Sequence, residues 1–321
     1  MKYFEELSKD FFTRFDKPHF PSEPESLYEP AEYFLKLGGK RIRPVLCLMG
    51  NELFDVIHEH TWDLAAAIEL FHNFTLIHDD IMDKAPLRRG MPTLHEKYGG
   101  PNALLAGDVT LVRAYDYINN IPESFLHRII HIFNKTAKEV CEGQQIDMDF
   151  EKMPNVTLAG YLNMIELKTS VLLAASLKMG AIMGGAGGGN QEHIAEFGKN
   201  LGLAFQIQDD YLDAFGDPAK FGKQVGGDIL ANKKTFLFIK AMEVATPGQQ
   251  KQMQQLLGSD GQDKVPQMIS IFASCGVDQE ARVLMDSYLQ KSYQHLDDIA
   301  VLSNRKGPLL KLAEFLVKRD F

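Results

Sequence analysis

Two stretches of the chain carry the same arrangement of acids: His78-Asp79-Asp80-Ile81-Met82-Asp83 and, 130 residues on, Gln208-Asp209-Asp210-Tyr211-Leu212-Asp213. Both read Asp-Asp-x-x-Asp within a run of helical spacing, which places the first and last carboxylates on one face, about 6 Å apart along the axis. Between exposed side chains such repulsion costs only about 0.2–0.5 kcal/mol. Beside many apolar neighbours the cost grows unless a cation lies between the carboxylates. Hard oxygen donors with no Cys or His cluster nearby select Mg²⁺, which shares its shell among a few carboxylates, waters and phosphate oxygens. Two such acidic clusters would clamp a phosphorylated ligand.

The elements that must position these acids are helices. From about Thr61 to Asp83 the spacing predicts one helix, with Ile68, His72, Thr75, Asp79 and Asp83 on a single stripe. Phe74 and Phe71 precede Asp79 by about 7.5 and 12 Å of axial rise on a neighbouring stripe. An apolar tail anchored at the acids would meet them, although taken alone they read first as core aromatics. A second helix, from about Gln191 to Phe215, repeats the layout with Gly202, Gln206, Asp209 and Asp213 on one stripe.

Cations accompany the acids. Gly38-Gly39 ends a helix expected from about Ser26 to Leu37, and Lys40, Arg41 and Arg43 follow at the entry to the next apolar run. A basic corner of this kind is either solvated surface or, with glycines that let the backbone come close, a diphosphate site. Arg88 and Arg89 lie in the loop just beyond the first motif, and paired guanidinium forks match phosphate oxygens. Lys168-Thr169 falls in the middle of a helix expected from Val156 to Met183, where a lysine must snorkel or meet an anion and a threonine can bend the helix locally. Gly143-Gln144-Gln145-Ile146-Asp147 lies on the helix expected from Pro122 to Phe150. A glycine-rich stretch from Gly216 to Asp228 contains Lys223 and leads to Lys233 and Lys234, the pattern of a mobile lid bracketed by lysines. The run Gly184 to Gly189 is not a phosphate loop, since no strand precedes it and no Gly-Lys-Ser/Thr closes it.

Composition narrows the class. In 321 residues, 45% are hydrophobic, and 34 Lys and Arg against 43 Asp and Glu give a net charge of −9, which argues against non-specific nucleic-acid binding. Three cysteines, Cys47, Cys141 and Cys275, form neither a disulfide framework nor a zinc pattern and fit a reducing cytoplasm. The N-terminal stretch is amphipathic and acid-bearing, unlike a signal peptide, and the longest apolar run, Val171 to Met183, is interrupted by Lys178, so no membrane span is expected. No run alternates with period two. The expectation is one all-α domain over residues 1–321, with no linker long enough to divide it.

Taken together the motifs resemble those of the trans-isoprenyl diphosphate synthases, the polyprenyl synthetase group that includes farnesyl and geranylgeranyl diphosphate synthases. The resemblance rests on GGKRIRP at 38–44, ELFHNFTLIHDDIMD at 69–83, LRRG at 87–90, GQQID at 143–147, LKT at 167–169, FQIQDDYLD at 205–213 and GKQVGGD at 222–228, in family order. It implies a helical bundle around a deep central cavity, a homodimer, and an enzyme that joins isopentenyl diphosphate head-to-tail to an allylic diphosphate. Two to three Mg²⁺ ions would be bound by Asp79, Asp83 and Asp209, with Asp80, Asp210 and Asp213 in supporting positions. Arg88, Lys168, Lys223 and Lys233 would hold the allylic diphosphate. Lys40, Arg43, His72 and Arg89 would hold isopentenyl diphosphate. Thr169, Gln206 and Asp147 would face the reacting carbons, with Lys168, Thr169 and Gln206 as the catalytic set.

The same resemblance ties product length to the residues before the first motif. Phe74 stands at the fifth position upstream, Thr75 rather than a second aromatic at the fourth, and Phe71 at the eighth. The motif has no two-residue insertion, so the expectation is a C15 to C20 product with C20 ahead. Two other readings share parts of the pattern: a class I terpene cyclase, which would not need GGKRIRP, and a non-catalytic subunit of a heteromeric synthase, which would not need both acidic sets.

Overall fold

A computed structural model describes residues 2–217, 225–259, 261 and 263–317. Nearly all of the regular structure is helical. In chain order the first helices are α1 (Lys2–Phe15), α2 (Glu25–Lys36), α3 (Ile42–Glu52), α4 (Glu59–Met82), α5 (Leu94–Tyr98), α6 (Gly100–Ile118), α7 (Glu123–Lys152), α8 (Leu158–Ile165), α9 (Val171–Met183) and α10 (Gly188–Phe215). Helices Gly227–Leu230, Phe236–Val244, Pro247–Leu257, Lys264–Ser274, Val277–Asp298 and Ser303–Val317 follow. No helix among the described residues is long and apolar enough to cross a membrane.

Two departures from the expected pattern matter for the site. The single helix expected from Val156 to Met183 is interrupted by a π-helical turn, Glu166–Ser170, between α8 and α9, and this turn carries Lys168 and Thr169. The loop after the first acidic motif contains a minimal hairpin, β1 (Leu87–Arg88) paired antiparallel with β2 (Met91–Pro92). Its two-residue turn is Arg89-Gly90, with φ of 54° and 77°. Two successive left-handed residues define the turn type whose twist matches an antiparallel pair, and strands of two residues are too short to show a period in the sequence.

Backbone contacts group the chain into two compact units, one made of Met1–Lys135, Ala175–Ile194 and Ala300–Pro308, the other of Thr136–Ala174, Ala195–Ile299 and Leu309–Phe321. Helices α7, α9 and α10 each contribute residues to both units. In the first unit α4 is buried almost without break from Leu64 to Phe71, which suits a helix surrounded by others. Around its later turns Ile77 packs with Ala31, Phe34, Leu94, Ala103 and Ala106 from α2, α5 and α6. The second unit has its own core, in which Tyr161, Ile207, Phe236, Met253, Phe272 and Met285 join α8 and α10 to the helices that follow.

Candidate active site

The first acidic motif closes α4. Asp79 is half-buried, Asp80 is 2% exposed, and Asp83 is the exposed C-cap, its N–H donating to Asp79 O at 2.8 Å. Asp80 is engaged by the hairpin: Arg88 Nε lies 2.9 and 2.7 Å from its two oxygens and Nη2 lies 2.7 Å from Oδ1. This fork fixes the guanidinium plane of Arg88. Upstream, the Phe71 and Phe74 rings lie 5.8 Å apart, Phe71 meets Phe133 of α7 edge-on at 5.2 Å, and Phe74 meets His78 edge-on at 4.7 Å. Thr75 Oγ1 donates to His72 O at 2.8 Å, turning the hydroxyl back onto the helix.

The basic corner packs against the same helix. Gly38, Gly39 and Arg41 have φ of 82°, 140° and 50°, so the chain turns sharply before α3. A side chain at Gly39 would strike the Arg89 guanidinium, whose Nη1 donates to Gly38 O. Arg43 Nη1 lies 3.0 Å from His72 Nε2. Since a guanidinium only donates, Nε2 accepts and the imidazole proton sits on Nδ1. Burial, with Arg43 next in weight, holds His72 well below the usual histidine range, so it is neutral and orients Arg43 rather than adding a charge. Burial also pushes the Arg43 guanidinium down to about 10, and its Nε has no hydrogen-bond partner among the described residues. Lys40 is exposed beside it.

The second unit holds the other acidic motif. Asp209 is half-buried and Asp210 is 6% exposed. Asp210 accepts from Tyr161 Oη at 2.5 Å and from Gln206 Nε2 at 3.1 Å, and Gln206 Oε1 in turn accepts from Thr169 Oγ1 at 3.1 Å. Burial, and after it the Asp228 carboxylate, pushes the Asp210 carboxyl up to about 8. Asp213 caps the helix Gly227–Leu230, taking Gly227 N at 3.2 Å and Asp228 N at 3.0 Å. Lys168 Nζ donates to Asp147 Oδ2 at 2.6 Å. Two glycines make the approach of the π turn possible: a side chain at Gly143 would come within 2.3 Å of Lys168 N, and one at Gly202 within 2.7 Å of Ser170 Cα. Lys233 is bound to Asp228 through its backbone, 2.9 Å, with Nζ 4.0 Å from Asp228 Oδ1. Lys223, and with it the centre of the expected lid, lies outside the described residues.

Within the first unit the structure therefore joins Arg43 to His72 and Arg88 to Asp80; within the second it joins Thr169, Gln206 and Asp210 in one chain and pairs Lys168 with Asp147. Tyr161 was not singled out in the sequence, and nothing local marks it. Glu69, which binds Arg41, does carry a sequence signal: a lone acid in the apolar run Leu64–Phe71 asks for a buried cation.

The donors at Asp79, Asp83 and Asp209 are all carboxylate oxygens, and Asp83 is exposed at the end of its helix; this chemistry fits a hard divalent cation bound with water and substrate oxygens. The polyprenyl synthetase family model matches residues 24–272. The chain belongs to this family. It is 37% identical over 298 residues to the short chain isoprenyl diphosphate synthase of Methanothermobacter thermautotrophicus, covering 92% of this chain and 91% of that one. Identity is 35% over 305 residues with the geranylgeranyl diphosphate synthase of Methanosarcina mazei, covering 94% and 92%. The crystal structure of geranylgeranyl pyrophosphate synthetase from Pyrococcus horikoshii superposes with a TM-score of 0.93 at 34% identity, covering 99% of this chain and all of that one. The all-α fold of the isoprenyl synthases is thus its fold, and short-chain trans-prenyl transfer in isoprenoid biosynthesis is its activity. Neither a terpene cyclase nor a non-catalytic subunit is favoured.

Proposed function

We propose that the chain condenses isopentenyl diphosphate, head-to-tail between C1′ and C4, with dimethylallyl, geranyl or farnesyl diphosphate and stops at C15 to C20, with C20 the principal product. Asp79, Asp83 and Asp209 would hold two to three Mg²⁺ ions, which when bound would supply Lewis-acid stabilisation to a departing allylic diphosphate. Arg88, set in its plane by Asp80, together with Lys168, Lys223 and Lys233, binds the same diphosphate. Lys40, Arg43 and Arg89 bind isopentenyl diphosphate, with His72 holding Arg43 in place. The observation that carries this second subsite is Arg43: a half-buried guanidinium whose buried Nε is unused is a cation awaiting an anion.

The chain's own part in the reaction is electrostatic and steric. The allylic C1–O bond breaks as negative charge gathers on the diphosphate facing these cations, and water is kept from the resulting carbocation. The Thr169–Gln206–Asp210 series fixes a hydroxyl and an amide against the π turn, where they face the reacting carbons. The alkene of isopentenyl diphosphate forms the new C–C bond, and the proton lost from its C2 passes to the released diphosphate. Asp213 acts as a cap that anchors the far end of the stretch carrying Lys223. Phe74, backed by Phe71 and His78, floors the space available to the growing chain.

We assign all of residues 1–321 to this one activity as a single domain. A homodimer belongs to the same reading, supported by the exposed apolar stripe of α6, where Leu104, Leu105 and Val112 are 49%, 53% and 60% exposed. Cytoplasmic residence is supported by three free cysteines. Incubation with Mg²⁺, labelled isopentenyl diphosphate and each allylic primer tests the assignment. A label-bearing C20 diphosphate that stops growing is expected; allylic diphosphate consumed only into unlabelled hydrocarbon would overturn it.

A further inference from the structure

Arg41 opens α3 in the left-handed region, φ 50° and ψ 34°, although it has a side chain. A residue with a Cβ in that region costs about 1–2 kcal/mol, so something nearby must hold it there. Its guanidinium turns inward, 4% exposed, onto the Glu69 carboxylate of α4, 3% exposed, and Nη2 donates to Leu35 O at 2.9 Å. Asn73, one turn further along α4, donates from Nδ2 to Glu69 Oε1 at 3.0 Å and to Glu69 O at 2.7 Å. The carboxylate is therefore gripped on two sides.

A buried ion pair of this kind contributes little net stability, because desolvation offsets its attraction; one attested use is to fix a single conformation. The conformation fixed here is that of the basic corner. Lys40 and Arg43 flank Arg41, and Arg43 reaches His72, three residues beyond Glu69, at 3.0 Å. Arg41 to Glu69 and Arg43 to His72 are thus two adjacent ties between the entry of α3 and one face of α4. Glu69 is also the anion that opposes the mutual repulsion of the arginines, favouring the charged forms of Arg43 and Arg89.

We propose that Arg41, Glu69 and Asn73 form a positioning unit for the isopentenyl diphosphate subsite: they touch no substrate, but hold the left-handed turn that presents Lys40 and Arg43 on a fixed side of α4. This rests on the subsite reading given above. Loosening the unit spreads the two cations over many orientations and weakens binding of isopentenyl diphosphate, whereas Arg88, assigned to the allylic diphosphate, is held by Asp80.

The test is steady-state kinetics on the full chain carrying Glu69→Gln and, separately, the paired Arg41→Met/Glu69→Leu, which leaves no buried charge unpartnered. Both are expected to raise KM for isopentenyl diphosphate about tenfold or more, with KM for the allylic primer within about twofold of wild type. Melting of the paired variant, followed by circular dichroism, should stay within a few degrees of wild type. Unchanged KM for isopentenyl diphosphate in a folded paired variant, or an equal rise for both substrates, would overturn the proposal. Should the paired variant fail to fold, Asn73→Ala, which removes only the clamp on Glu69, is expected to raise the same KM about threefold, and no change there overturns it as well. A wild-type chain that does not consume isopentenyl diphosphate would instead remove the subsite reading beneath the proposal, and the wild-type control separates the two failures.

Discussion

Asp80 and Asp210 hold the same place in two identical spellings, and both are buried, yet their surroundings are chemically opposite. Asp80 faces a guanidinium fork from Arg88 and stays in a charged pair. Among the described residues Asp210 meets neutral donors, a phenol and an amide, and burial drives its carboxyl up to about 8. The last acids differ as well: Asp83 ends its helix in solvent, whereas Asp213 caps the helix that follows the glycine-rich stretch. The first acids, Asp79 and Asp209, are both half-buried. The repeat in the sequence thus covers side chains with unlike neighbours: Asp80 holds a guanidinium, Asp210 a phenol and an amide, and Asp213 the start of a helix.

That contrast can be broken or sharpened in four ways. The largest effect should fall equally on both motifs: Asp79→Ala and Asp209→Ala are each expected to lower kcat/KM by about 10²–10³ or more, measured by labelled product formation. A clear inequality would mean that the first acids are not equivalent.

The middle acids should then part company. Asp80→Asn strands Arg88, which is only 25% exposed, and is expected to cost about 2–3 kcal/mol of stability in urea unfolding, with higher KM for the allylic primer. Asp210→Asn keeps an acceptor for Tyr161 and removes a carboxyl that is costly to ionise, so its stability should lie within about 1 kcal/mol of wild type. Equal losses would erase the distinction drawn between them.

Phe74→Ala tests the region upstream of the first motif, which has no aromatic counterpart five residues before Asp209. A shift of product toward lengths beyond C20 is expected, with turnover changed only a few-fold; an unchanged distribution would remove Phe74 from the floor.

The smallest effect is in pH. His72 and His19 are held neutral by burial, so their folded pKa lies below the ordinary histidine value of 6.5. The unfolded chain then takes up protons first, and stability is complete above pH 6.5 and falls below it, with a limiting slope of about 1.4 kcal/mol per pH unit for each histidine. Asp210 has the opposite sign: its folded pKa is raised to about 8 from 3.8, so the folded chain keeps a proton the unfolded chain loses, and stability declines as pH rises between these values. Urea midpoints in EDTA from pH 5 to 8 should therefore show a decline at the acid end that His19→Gln softens. A decline at the alkaline end should be absent in Asp210→Asn.

Much of this was legible in the sequence, because helix periodicity, helix-ending glycines and the spacing of the acids are local signals. The acidic helices α4 and α10 match their expected bounds within a few residues. The π turn was not legible, since Glu166–Ser170 depends on bonds and close approaches from α7 and α10 that lie far away in sequence. The partners of the middle acids were hidden for the same reason: Tyr161 precedes Asp210 by 49 residues. Arg88 was visible, but its fork onto Asp80 needed the hairpin, whose only local sign is Arg89-Gly90. Glu69 was the one missed residue with a readable signal, a carboxylate in an apolar run.

The central claim is that Asp79 and Asp209 act on one and the same diphosphate, and a double-mutant cycle addresses it directly. Labelled product is measured over long incubations for Asp79→Ala, Asp209→Ala and the two combined. Residues that serve one leaving group act as a unit, so the combined variant should lose little beyond the worse single variant. Losses that multiply, as for independent sites, would contradict the account.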